Sequence, residues 1–151
     1  MTTIKSAANR AAQAAPQSQT LALPATPDAF AKAFSDAFTA RDAGRMAALF
    51  VPEADFITPE HGWWEGAQAI AEGHEEGFAT VWRKARLVTG KARVRDLAPG
   101  LVQVWQRYIL SGLLRADGTE APRRAVIYGF VLRKTRSGWQ ALSAQAVHGA
   151  D

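Results

Sequence analysis

The chain contains no cysteine, which excludes disulfide stapling, thiolate catalysis and cysteine-held zinc or iron–sulfur centres. It also lacks any apolar run near the ~20 residues that a membrane-crossing helix needs. Histidine is scarce: His61, His74 and His148 are all there are, and their spacing is not that of a metal site, so no metal is expected. Neither a GxGxxG after a strand nor a phosphate-binding loop occurs, which leaves no warrant for a nicotinamide, a flavin or any other cofactor. Residues 1–26 have neither an aromatic side chain nor an acid. A segment of Ala, Gln, Ser, Thr and Pro buries too little to offset its ordering entropy, and it reads as a disordered tail. No continuous apolar stretch follows Lys5 and Arg10, so it does not read as a secretory signal. The expectation is a soluble, cytoplasmic protein with no membrane partner.

What is present suffices for one domain. With 151 residues and 48% hydrophobic side chains, residues 27–151 can enclose a single core, and two domains would be crowded. Charge is divided along the chain: residues 27–82 hold 3 basic and 10 acidic side chains, a balance of −7, whereas residues 83–136 hold 13 basic and 3 acidic, a balance of +10. A basic half can attract nucleic acid. However, Lys91, Arg93 and Arg95 alternate as on the wet side of a strand, and no nucleic-acid motif accompanies them, so no nucleic-acid partner is expected.

Helical signals come first. Thr26 suits an N-cap, Pro27 the first helical position and Asp28 the positive end of the helix dipole, and Phe30, Phe34, Ala37 and Phe38 recur at helical spacing. A short helix is expected after Asp42, ended by Pro52, then a strand over 54–58, a turn through Pro59–Gly62, a short strand over 63–65 and a helix over 67–81. Four long strands follow, over 84–96, 101–115, 122–135 and 139–147. They are separated by Pro99-Gly100, Asp117-Gly118 and Ser137-Gly138, which carry turn chemistry. Three helices followed by an antiparallel meander is an α+β pattern. In the strands around Trp105 and Tyr128 neither face is properly polar. One face covers the protein's own helices, and the other needs a second cover, for which a symmetric homodimer is the economical answer.

The stretches Ala40-Arg41-Asp42-Ala43, Met46-Ala47-Ala48-Leu49-Phe50, Glu53-Ala54-Asp55-Phe56 and Trp64-Glu65-Gly66, then Ile70, His74, Gly138-Trp139 and Ala144-Gln145, occur in an order and spacing that resembles the nuclear-transport-factor-2-like superfamily. Within it they are most similar to the SnoaL-like branch and its SgcJ/EcaC group. The resemblance covers residues 27–148. It implies a cystatin-like α+β roll: a cone-shaped, strongly curved antiparallel sheet on three N-terminal helices, around a deep, largely apolar pocket. It further implies that Gln106, Tyr108, Leu110, Ser143, Gln145 and Val147 point into the cone, while Trp105, Ile109, Tyr128 and Phe130 form the dimer face.

His74 shares a helical stripe with Ile70 and Phe78, so it reads either as a pocket acid or base or as a core histidine bonded to backbone. Tyr108, Gln106 and Gln145 are candidate ligand contacts, and Thr58 and Trp64 candidate residues of the pocket mouth. His61 and His148 read as surface residues, and Asp55 as an outward or capping group. The ketosteroid-isomerase chemistry of this superfamily is not expected, because Phe34, Thr58 and Ile127 stand where the resemblance would put its tyrosine, base and oxyanion acid. Three functions stay open. The first is a homodimer whose pocket binds a small hydrophobic or aromatic molecule. The second is a cofactor-free dehydratase, cyclase or isomerase using His74 on a polyketide- or steroid-like substrate. The third is a non-catalytic association module with a filled interior.

Overall fold

The computed structural model describes residues 23–149. The expected tail lies outside the described residues up to position 22, but Leu23–Thr26 are placed: the Trp139 N–H donates to the Pro24 carbonyl at 2.8 Å. Helix α1, Pro27–Thr39, begins as its sequence dictates, with the Thr26 hydroxyl accepting from the Ala29 N–H and Pro27 in the first turn. Its buried stripe is Phe30, Phe34, Ala37 and Phe38. Helix α2, Ala43–Ala48, is capped by the Asp42 carboxylate on the Arg45 N–H. Helix α3 spans Ala67–Ala79.

Six strands follow the expected order: β1 Phe50–Thr58, β2 Gly62–Glu65, β3 Arg86–Ala98, β4 Leu101–Ser111, β5 Arg124–Thr135 and β6 Gly138–His148. Strand β1 begins four residues earlier than the sequence suggests, with Pro52 inside it rather than ending a helix. They form one open, curved sheet in the order β2-β1-β6-β5-β4-β3. The sheet is mixed rather than wholly antiparallel, because β1 and β6 run parallel. The three helices pack on one face and enclose a single core. Among the described residues no helix is long and apolar enough to cross a membrane.

Pairing corrects two parities. Gln106 stands opposite Tyr128 and Val104 opposite Phe130, and partners directly opposite share a face. Tyr128 and Phe130 therefore point into the core, where they are 6% and 0% exposed, and not onto an outer dimer face. On β6, Ala144 and Ala146 stand opposite Phe130 and Tyr128, so the two small side chains face the two large rings. Ser143, Gln145 and Val147 consequently turn outward, and Gln145 is exposed. Trp105 and Ile109 do lie on the outer face, as expected; the Trp105 ring covers Gly129, where a Cβ would collide with it.

Beyond β4, Gly112 adopts φ +76°, and a Cβ there would run into the Lys84 carbonyl. Gly112→Ala is expected to cost at least about 2 kcal/mol, from the left-handed backbone and the collision together. A urea midpoint equal to that of the wild type would contradict this.

Candidate functional site

The interior of the curved sheet holds a closed aromatic cluster centred on His74. Glycines 73 and 77 flank this histidine on α3, and the rings of Trp64 and Trp82 occupy the space their missing side chains leave. Around the imidazole lie Trp64 at 5.0 Å, Phe56 at 5.1 Å, Trp82 at 5.5 Å and Phe78 at 6.0 Å between centroids, with Phe34 and Phe38 slightly farther away. His74 is fully buried. Its Nδ1 lies 2.8 Å from the Ile70 carbonyl, so Nδ1 carries the proton and donates, which leaves Nε2 as a bare acceptor. Nε2 is buried without a hydrogen-bond partner. Burial lowers the pKa of His74 to about 4, only partly offset by the Ile70 carbonyl. The imidazole is therefore neutral at neutral pH.

Beside this cluster lies a cavity of about 20 Å³, lined by residues that include Thr58, Trp82, Tyr128 and His148. That is room for about one water molecule. The deep pocket implied by the resemblance is thus occupied by the protein's own rings: Phe34 lies 5.2 Å from both Tyr128 and Phe130 and 6.1 Å from Phe56. The β1–β2 turn covers the cavity. There the Thr58 hydroxyl accepts from the His61 N–H at 2.8 Å, and His148 Nε2 meets a Glu60 carboxylate oxygen at 2.7 Å. The His61 ring stacks on Trp64.

Of the residues expected at the site, the structure brings Thr58, Trp64 and His74 together. Tyr108 belongs to the same core, 5.3 Å from Tyr128, but its hydroxyl donates to the Ala31 carbonyl at 2.6 Å. Burial raises its pKa well above the usual tyrosine value, so it acts as a neutral tie between β4 and α1. Gln106 points inward, yet its amide donates to the Gly90 and Lys91 carbonyls where the β3–β4 register shifts. It satisfies the bulge, and the pocket it helps to line, with Trp105 and Ile127, is a surface one. Gln145, on the outer face, is not part of the cluster.

Ile127 also faces outward, 36% exposed, so the position taken for the oxyanion acid lies outside the core. Its inward neighbours are Val126 and Tyr128. Among the described residues the buried polar side chains besides tyrosine are Ser35, Thr58, His74 and Gln106; none is a carboxylate. Trp82 and Tyr128 were not among the expected site residues. The i, i+4 glycine pair at 73 and 77 was the available signal for large rings over α3.

Three helices on a curved six-stranded sheet whose cone is closed by aromatic rings define a nuclear-transport-factor-2-like domain. The chain belongs to the SnoaL-like family, whose domain model matches residues 28–146. Among curated proteins none matches it in sequence. Its fold is shared with an uncharacterised Caulobacter vibrioides protein with a cystatin-like fold, at TM-score 0.74 and 18% identity over 82% of this chain and 87% of the other. A nuclear-transport-factor-2-like protein from Novosphingobium aromaticivorans superposes with TM-score 0.62 at 16% identity, covering 75% and 73%. A Thiobacillus denitrificans protein described as a candidate calcium/calmodulin-dependent protein kinase type II association domain superposes with TM-score 0.67 at 24% identity, covering 85% and 98%.

Proposed function

We propose that this protein is a self-association module, a homodimer formed through the outer face of its sheet. The observation that carries this reading is the contrast between the two faces. On the inner face, among the described residues, the cavity beside the aromatic cluster is about 20 Å³. On the outer face Trp105, Ile127, Val147 and Ile57 are 37%, 36%, 56% and 43% exposed, on four neighbouring strands. Exposed apolar side chains on adjacent strands, here interspersed with Gln145 and Arg107, mark an interaction site, and a sheet-on-sheet contact is the ordinary way to cover them. Association is also the role described for the Thiobacillus denitrificans neighbour.

Sedimentation velocity tests the reading: the wild type is expected to sediment as a dimer at micromolar concentration. Trp105→Glu places a charge on the largest of these apolar side chains and is expected to weaken association by about 3 kcal/mol, enough to give monomers. A wild type that stays monomeric at the highest accessible concentration would overturn the proposal.

A second reading rests on one atom. His74 Nε2 is a buried acceptor without a partner, and such an atom would favour a small aromatic molecule bearing an O–H or N–H. Admission of that molecule would require the Pro59–Gly62 turn to swing away from Trp64 and Trp82. Its test is a thermal-shift screen of phenols and indoles on the wild type, with His74→Leu as control. A rise in melting temperature lost in the variant would support it, and no shift at millimolar ligand would reject it. General acid–base catalysis is less well served, because a histidine with a pKa near 4 is a weak base at neutral pH.

A further inference from the structure

The charge asymmetry of the sequence reappears as a pattern across the outer face of the sheet. The pairings lay out one lateral row from edge to edge: Glu65, Asp55, Ser143, Val131, Gln103, Arg95. The next row begins with Trp63 and Ile57 on β2 and β1 and ends with Trp105 and Arg93 on β4 and β3. One edge is thus acidic with an exposed tryptophan and the other is basic, while Ser143, Val131 and Gln103 lie between them in the first row and Gln145 and Gly129 in the second. Five strand spacings, about 24 Å, separate the edges. Attraction between them within one molecule is therefore screened at physiological salt, where the Debye length is about 8 Å. Among the described residues the ion pairs are Lys32–Asp36 and His148–Glu60, so neither edge has a charged partner of its own.

We infer that the face recognises a second copy of this chain in one orientation only, with the two-fold axis running along the strands so that each acidic edge lies on the partner's basic edge. This rests on the homodimer proposed above. Two sheets packed face to face are related by an axis lying in the plane between them, and its direction decides which edges meet. An axis across the strands sets β3 on β3 and stacks Arg93 and Arg95 on their own copies, a like-charge contact that association would have to overcome.

An axis along the strands, passing between β6 and β5, sets β2 on the partner's β3 and β1 on the partner's β4. Glu65 then opposes the partner's Arg95, with Asp55 one strand further in, opposite the partner's Gln103. Trp63, 61% exposed, receives the partner's Arg93 over its ring, a cation–π contact. Ile57 covers the partner's Trp105, and the symmetry repeats every contact. Burial of Ile57, Val147, Ile127 and Trp105 supplies affinity, and the charged edges supply orientation.

The test is a charge swap read by sedimentation equilibrium at low salt, with far-UV circular dichroism confirming that each variant is folded. Arg93→Glu/Arg95→Glu is expected to raise the dimer dissociation constant at least tenfold, because both edges become acidic. Asp55→Lys/Glu65→Lys is expected to do the same, and a mixture of the two variants to form a 1:1 heterodimer tighter than either homodimer. With the axis across the strands, glutamate would meet glutamate where arginine met arginine, and the constant would be unchanged. That result overturns the orientation while leaving the homodimer intact. A monomeric wild type removes both. Should the lysine variant fail to fold, the arginine variant alone decides, since it weakens association only with the axis along the strands.

Discussion

Phe34→Ala is expected to lower the free energy of unfolding by about 3–5 kcal/mol, a large part of the 5–15 kcal/mol that holds a typical domain folded. The residue lies at the centre of the aromatic interior, fully buried on α1. Its ring lies between 5.2 and 6.3 Å from those of Phe50, Phe56, His74, Tyr108, Tyr128 and Phe130. Those neighbours belong to three different strands and a helix, so they cannot all move in to fill the space, and the cavity term adds to the lost transfer free energy. Urea denaturation measures the effect as a lower midpoint with an unchanged slope. The same deletion is expected to open an apolar void that admits benzene, with a rise in melting temperature that the wild type does not show. A loss below about 1 kcal/mol would mean that the interior is loosely packed.

The second large effect is a pH dependence of stability. The pKa of His74 is lowered by burial from 6.5 to about 4 in the folded protein. The unfolded chain takes up this proton between pH 6.5 and 4, while the folded protein does not. Stability from this group is therefore complete above about pH 6.5 and is lost progressively as the pH falls toward 4, by about 3 kcal/mol in total. Below pH 4 both states are protonated and the contribution stays flat. His74→Leu is expected to remove this slope, leaving only the contribution of the carboxylates. The difference between wild-type and variant unfolding free energies at pH 7.5 and pH 4.5 isolates the histidine. Parallel curves would show that Nε2 finds a partner or solvent in the native state.

The helices were legible because their signals are local. Thr26, Pro27 and Asp28 set the start of α1 within one turn, and the Phe30–Phe34–Phe38 stripe gives its inner face whatever it packs against. The turns at Pro99-Gly100 and Ser137-Gly138 likewise fix where strands stop, whereas the strand expected to run to residue 115 ends at Ser111, before Asp117-Gly118. The parities of β5 and β6 were not legible. Val126, Tyr128, Phe130 and Leu132 alternate with Ala125, Ile127, Gly129 and Val131, and both sets are apolar, so a one-residue choice of face has no local signature. Size complementarity across strands makes that choice, with Ala144 and Ala146 under Phe130 and Tyr128 and Gly129 under Trp105.

The same distinction runs through the candidate site. The sequence marked His74, Thr58 and Trp64, but it did not show that Gln106 is spent on a bulge, that the Tyr108 hydroxyl ties α1, or that Trp82 closes over Gly77. Each of these depends on partners between 5 and 77 residues away along the chain.

Composition, caps, turns and hydrophobic period determined by themselves that this is a cysteine-free α+β chain with three helices ahead of four long strands, because each of those signals acts within a few residues. Which side of the sheet is core and which is surface, how little space remains inside, and where the acidic and basic halves come to lie were decided only by tertiary structure. Strand register and the fit of large rings against small side chains are properties of distant residues brought together, and no short window of sequence contains both partners.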